Sequence, residues 1–194
     1  MSRVAGTPKR SVLRSILIVS GAPASGKSTL AGALAEVFSY PLLSKDTLKE
    51  SLFDSLGTHL GKNVGSSAEL SRLLSQAAMD LLWSLAPYCP KIILEANFRP
   101  KSPHERERFA ALEGRKLEVY CHCTQEEAAR RFQKRATRAE HHPAHSMKTM
   151  SAELLQEFDR PIGLCPVIDV DTEGPVNPLE VADRIRRYWP DLSN

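Results

Sequence analysis

Gly21-Ala22-Pro23-Ala24-Ser25-Gly26-Lys27-Ser28-Thr29 constrains this chain more than any other segment. It fits G-x-x-x-x-G-K-[ST] and stands between two periodic stretches. Before it runs Ile16-Leu17-Ile18-Val19, short and continuously apolar, the pattern of a strand buried on both faces of a parallel sheet. After it come Leu30, Leu34, Val37 and Phe38 at helical spacing. Two glycines let the backbone turn so that successive N–H groups converge on one point. The helix starting near Lys27 adds the partial positive charge of its N-terminus, and Lys27 adds a full one. The loop is expected to cradle phosphates, with Gly21 to Thr29 as the nucleotide contacts and the Ser28 hydroxyl placed to ligate Mg²⁺.

The alternation continues along the chain. Pro41 to Ser44 reads as a short strand, followed by a helix from about Thr47 with Thr47 and Glu50 spaced as a capping box. Residues 57–67 are rich in Gly and Ser and read as a loop. A strong amphipathic helix follows from Leu70 to Leu85, ended by Pro87 and Pro90. Further strands are expected at Ile92–Ala96, Leu117–Cys121 and Val167–Val170. Further helices are expected at 103–113, closed by Gly114, and at 125–135, 149–158 and 178–188. Strands alternating with helices define an α/β domain with a parallel sheet and right-handed crossovers.

Size and charge are consistent with one such domain. The chain has 194 residues, 42% hydrophobic and 25% charged, and a net charge of +3 that hints at anionic ligands without demanding nucleic acid. No stretch approaches the roughly 20 apolar residues of a membrane span. The division expected is a flexible basic tail at 1–15, carrying Arg3, Lys9, Arg10 and Arg14, and one domain at 16–194. Cys89, Cys121, Cys123 and Cys165 lack zinc spacing and read as reduced thiols of a cytoplasmic protein.

Other chemistry-bearing residues fall where strands end, which is the ligand edge of such sheets. Asp46 follows the second strand and can accept the proton of an attacking hydroxyl, or it can cap the next helix. Lys49, one turn on, is a candidate for substrate or phosphate. Glu95 and Asn97 end the third strand. Glu95 is a candidate to hold Mg²⁺ or orient an acceptor, or it is a structural carboxylate paired with Arg99. Arg131, Arg135 and Arg138 share a helix face with spacing i, i+4, i+7, and with Arg130 they suggest a cationic lid. Arg131 is assigned to the nucleotide, and Arg135 and Arg138 to the transferring group. Asp171 to Gly174 either passes an adenine ring or is a simple turn. His141, His142 and His145, with Cys121, His122 and Cys123, read as lid and strand residues rather than a zinc site. A guanine-reading N-K-x-D segment is not found.

Gly21-x-Pro23-x-Ser25-Gly26-Lys27-Ser28-Thr29 followed by Asp46-x-x-Lys49 resembles the P-loop kinases related to polynucleotide 5′-kinase. That group of AAA-type ATP-binding kinases also holds chloramphenicol phosphotransferase and the zeta toxins. The strand ending Glu95-Ala96-Asn97 is similar to the family's D-x-N, and His142-Pro143-Ala144-His145 is similar to a His-Pro-Gly-His lid. The resemblance implies a three-layer fold with a central five-stranded parallel sheet and a small Arg/His lid. It also implies ATP with Mg²⁺, transfer to a hydroxyl, and Asp46 as general base. Lys49 stands where polynucleotide kinases usually carry Arg, and Lys is the poorer bidentate phosphate clamp. A small-molecule acceptor is therefore favoured over a polynucleotide 5′-hydroxyl, and both over a regulator that binds nucleotide without transfer. Membrane partners are not expected, and no oligomeric state is implied.

Overall fold

The structure is a computed structural model that describes residues 14–60, 65–137, 142–147 and 149–192. Residues 1–13 of the basic tail expected at 1–15, Arg138 and His141 lie outside the described residues. The apolar run before the glycine loop forms β1, Ser15–Gly21, buried along its whole length. In chain order there follow α1 (Lys27–Phe38), β2 (Leu42–Ser44), α2 (Lys45–Leu60), α3 (Ser67–Leu85), β3 (Lys91–Glu95) and α4 (Pro103–Ala111). The chain then forms β4 (Arg115–His122), α5 (Gln125–Ala136), α6 (Ala152–Leu155), β5 (Val167–Asp171) and α7 (Pro178–Tyr188).

The five strands form one sheet in the order β2-β3-β1-β4-β5, and every pairing is parallel. Alternation along β1 makes the layers. Leu17 and Val19 point to one face, where they pack with Leu30 and Leu34 of α1 and Val181 and Ile185 of α7. Ile16 and Ile18 point to the other, against Leu82 and Trp83 of α3 and Phe109 of α4. β1 is central, with β3 on one side and β4 on the other, so the loop after it opens at the point where strand order reverses.

Three local expectations are corrected. Helix α2 begins at Lys45 directly after Ser44, so Thr47 lies inside it. The Thr47 carbonyl accepts from Ser51 Oγ at 2.9 Å, and Glu50 turns to His145, so no capping box forms. Helix α2 also runs through Gly57 to Leu60, where a loop was expected. It lies against α3, and tertiary packing outweighs the cost of one glycine, near 1 kcal/mol. The helix expected at 149–158 is a single α turn, α6, capped by Ser151 and continued as a 3₁₀ turn over Gln156–Phe158. No helix among the described residues is long and apolar enough to cross a membrane.

Candidate active site

The glycine loop follows the end of β1, and its two glycines have separate reasons. A Cβ on Gly21, at φ +141°, would stand 2.2 Å from the carbonyl oxygen of Cys121 on β4, so only glycine lets β1 and β4 close at this edge. Gly26, at φ +82°, supplies the left-handed turn into α1. Ala24 is also left-handed, at φ 63°, and the amide of Ser25 donates to the carbonyl of Ala22 at 3.1 Å. Helix α1 starts with no side-chain cap and no acid in its first turn, leaving its N-terminus for an anion. Ser25 Oγ is buried without a hydrogen-bond partner among the described residues, an orphan that a phosphate oxygen would satisfy. These features fit a bound nucleotide phosphate.

Lys27 is 5% exposed. Its Nζ donates to the carbonyl of Ala22 at 3.3 Å and lies 3.8 Å from Glu95 Oε1. Glu95 ends β3 in register with Val19 of β1 and Ser44 of β2. It is 1% exposed and accepts two hydroxyls, Ser28 Oγ at 3.0 Å and Ser44 Oγ at 2.6 Å. Ser28 and Glu95 therefore meet, and their hard oxygens suit Mg²⁺. Arg99 is not the partner of Glu95: its guanidinium binds Glu157 and its amide donates to Glu105.

Asp46 sits in the first turn of α2. Burial alone would raise its pKa, but Lys27, Lys45, His145 and Arg135 together outweigh burial and hold the carboxyl below its ordinary value. Those four groups come from α1, α2, the segment 142–147 and α5, so the elements singled out in the sequence converge here. Asp46 makes no side-chain hydrogen bond among the described residues, so its oxygens are available. Lys49 is not a solvated helix lysine. It is 4% exposed, donates to Ser71 Oγ at 2.8 Å, and burial followed by the neighbouring charge of Lys45 pushes it down to about 8. Lys45 reaches Asn97 Oδ1 at 3.3 Å, tying the start of α2 to the end of β3.

The arginines separate into different tasks. Arg130 is a surface residue paired with Glu127. Arg131 bonds the carbonyls of Thr172 and Glu173 at 2.9 and 3.0 Å, which ties α5 to the loop after β5. Arg135 is exposed, lies over the Phe132 ring and acts on Asp46. In the loop after β5, Thr172 Oγ1 reaches the carbonyls of Ser25 and His122, each at 2.7 Å, bracing the glycine loop.

Ser44 and Lys45 were not found from sequence, and Thr172 only as part of the loop Asp171 to Gly174. Ser44 and Lys45 carried a usable signal, since both stand at the strand end beside Asp46. His122 pairs with Asp169 at 2.8 Å, and burial pushes the Cys121 thiol up to about 12. All four cysteines are free. His142 and His145 face the carboxylates of α2.

An uncapped helix N-terminus, a buried lysine and a paired serine and glutamate at the switch point of a 2-3-1-4-5 parallel sheet define a P-loop protein of the kinase group. Residues 16–157 match the family described as AAA domain, and the chain belongs to that family. No curated protein matches the chain in sequence. Among solved structures it is similar to a protein described as a candidate kinase from Chloroflexus aurantiacus, with 27% identity and a TM-score of 0.76 over 90% of this chain and 98% of that one. Its fold is also that of a gluconokinase from Sinorhizobium meliloti, with 18% identity and a TM-score of 0.56 over 95% and 100% of the two chains. A shikimate kinase from Aquifex aeolicus shares the fold too, with 16% identity and a TM-score of 0.52 over 91% and 96%.

Proposed function

We propose that this chain is an ATP-dependent kinase that moves the γ-phosphoryl group of ATP to a hydroxyl of a small molecule. The observation that carries the reading is the position of Asp46. It is an ionised carboxylate with no hydrogen-bond partner among the described residues, within electrostatic reach of Lys27, Lys45 and Arg135. In the proposed step the acceptor oxygen bonds to the γ-phosphorus as the bond from that phosphorus to the β–γ bridging oxygen breaks. The acceptor proton passes to Asp46, and ADP leaves. A carboxylate of lowered pKa is a weak base, which suits a loose transition state in which the proton moves late. Lys27 and Arg135 offset charge on the phosphoryl oxygens. Ser28 and Glu95 would hold Mg²⁺, which would supply further charge neutralisation at the phosphates.

The neighbours named gluconokinase and shikimate kinase favour a small acceptor. Lys49 points the same way, because a buried lysine bonded to Ser71 is poorly placed to track a polynucleotide backbone. The test is transfer from γ-labelled ATP to a panel of sugars, hydroxy acids, nucleosides, antibiotics and 5′-hydroxyl oligonucleotides. Label on one small-molecule class is expected. Label on oligonucleotides alone, or stoichiometric ATP binding with no transfer, overturns the reading.

A further inference from the structure

We infer that the turn His142-Pro143-Ala144-His145 is a clasp on α2, and that His142 and His145 are positioning residues for Asp46 and Lys49. The inference rests on the kinase reading with Asp46 as base. Asp46, Glu50 and Asp54 are spaced i, i+4, i+8 and so line one face of α2. Asp46 serves the site, and each of the other two meets a histidine of the turn. His145 Nε2 lies 2.9 Å from Glu50 Oε1, and His142 Nε2 lies 3.2 Å from Asp54 Oδ1. The His142 ring also stands edge-on to Phe53, with centroids 5.6 Å apart.

The turn fixes its own chemistry. The amide of His145 donates to the carbonyl of His142 at 3.0 Å, and the amide of Ala144 donates to His142 Nδ1 at 3.2 Å. A ring nitrogen that accepts an N–H carries no proton, so the hydrogen-bond pattern assigns His142 as the neutral Nε2–H tautomer donating to Asp54. Ala144 is fully buried, and its carbonyl accepts from Ser71 Oγ at 2.8 Å. Ser71 Oγ in turn accepts from Lys49. The line Lys49–Ser71–Ala144 thus joins α2, α3 and the turn one helical turn from Asp46.

Stability does not account for this arrangement. Asp54 is 68% exposed on its side chain, so its contact with His142 adds little to the fold. The effect of the two histidine contacts is to hold the base-bearing turn of α2 in one place against α3.

The test uses the full chain with His142→Ala, His145→Ala, His142→Gln and His145→Gln, since the Gln carboxamide can donate in place of Nε2–H. Side-chain NMR of the unmodified protein is expected to show His142 as the Nε2–H tautomer. In the Ala variants, hydrogen exchange is expected to quicken at residues 45–54 while β1 and β4 stay protected. MgATP affinity is expected to hold within about twofold. The acceptor KM is expected to rise roughly tenfold, as for one lost charged hydrogen bond, with a smaller change in kcat and recovery in the Gln variants.

Unchanged exchange and unchanged acceptor KM overturn the clasp. So does a loss that Gln fails to restore and that falls equally on MgATP. If the unmodified protein transfers phosphate to nothing, the kinase reading fails by itself, and exchange at 45–54 still decides the clasp.

Discussion

Lys49→Met should stabilise the fold while damaging the site, and its pH dependence identifies the cause. Burial, then the charge of Lys45, pushes Lys49 from an ordinary 10.5 to about 8. At about 1.36 kcal/mol per pKa unit, keeping the ammonium charged at pH 7 costs roughly 3 kcal/mol. Methionine occupies the same path without the charge. Against that gain stands the 2.8 Å bond to Ser71, worth about 1.5–3 kcal/mol with a charged donor, while Ser71 keeps the Ala144 carbonyl. The variant is therefore expected to be more stable at pH 7 by about 1 kcal/mol. Between about 8 and 10.5 the unfolded chain holds a proton that the folded protein has released. Stability of the unmodified protein therefore rises with pH through that window, by at most about 1.4 kcal/mol per pH unit from this group. Below pH 8 both states hold the proton, so the cost is constant there. Urea titrations of both proteins from pH 7 to pH 10 measure the difference, in which titrating groups that do not sense Lys49 cancel. The advantage of Met should shrink above pH 8 and reverse before pH 10. A difference that stays constant with pH refutes the reasoning.

Two backbone devices give further predictions. Gly21→Ala places a Cβ 2.2 Å from the Cys121 carbonyl and in a left-handed conformation, and should cost about 3 kcal/mol or more in urea unfolding. A loss below 1 kcal/mol would mean β1 and β4 are not closed as described. Thr172→Val keeps shape but removes the hydroxyl shared by the Ser25 and His122 carbonyls, costing about 1–3 kcal/mol. Calorimetry should show ATP binding weakened severalfold, and unchanged affinity would mean that Thr172 does not brace the loop.

What could be read from sequence was local. The glycine loop carries its geometry in residue types, and α7 begins at Pro178 behind the Asn177 cap, as proline and cap chemistry predict. The start of α2 misled because Thr47 and Glu50 satisfy a local rule, whereas Ser44 and Lys45 are held by Glu95 of β3 and Asn97 just beyond it. The partners of the histidines were hidden for a similar reason. These carboxylates stand 88 and 95 residues away on α2, and no spacing rule reaches that far. Thr172 was legible only as part of the loop Asp171 to Gly174, because its task is to reach Ser25 across 147 residues. Arg131 and Arg135 were rightly placed on one helix, but only packing sends the first to the loop after β5 and directs the charge of the second at Asp46.

The central claim is that Asp46 takes the acceptor proton, and Asp46→Asn tests it directly. One preparation of the variant is measured for MgATP binding by calorimetry and for transfer from γ-labelled ATP to the acceptor found for the unmodified protein. The account predicts ATP affinity within a few-fold of the unmodified protein, and transfer reduced by about 10²-fold or more, the scale of a lost general base. Full transfer by the variant would contradict it.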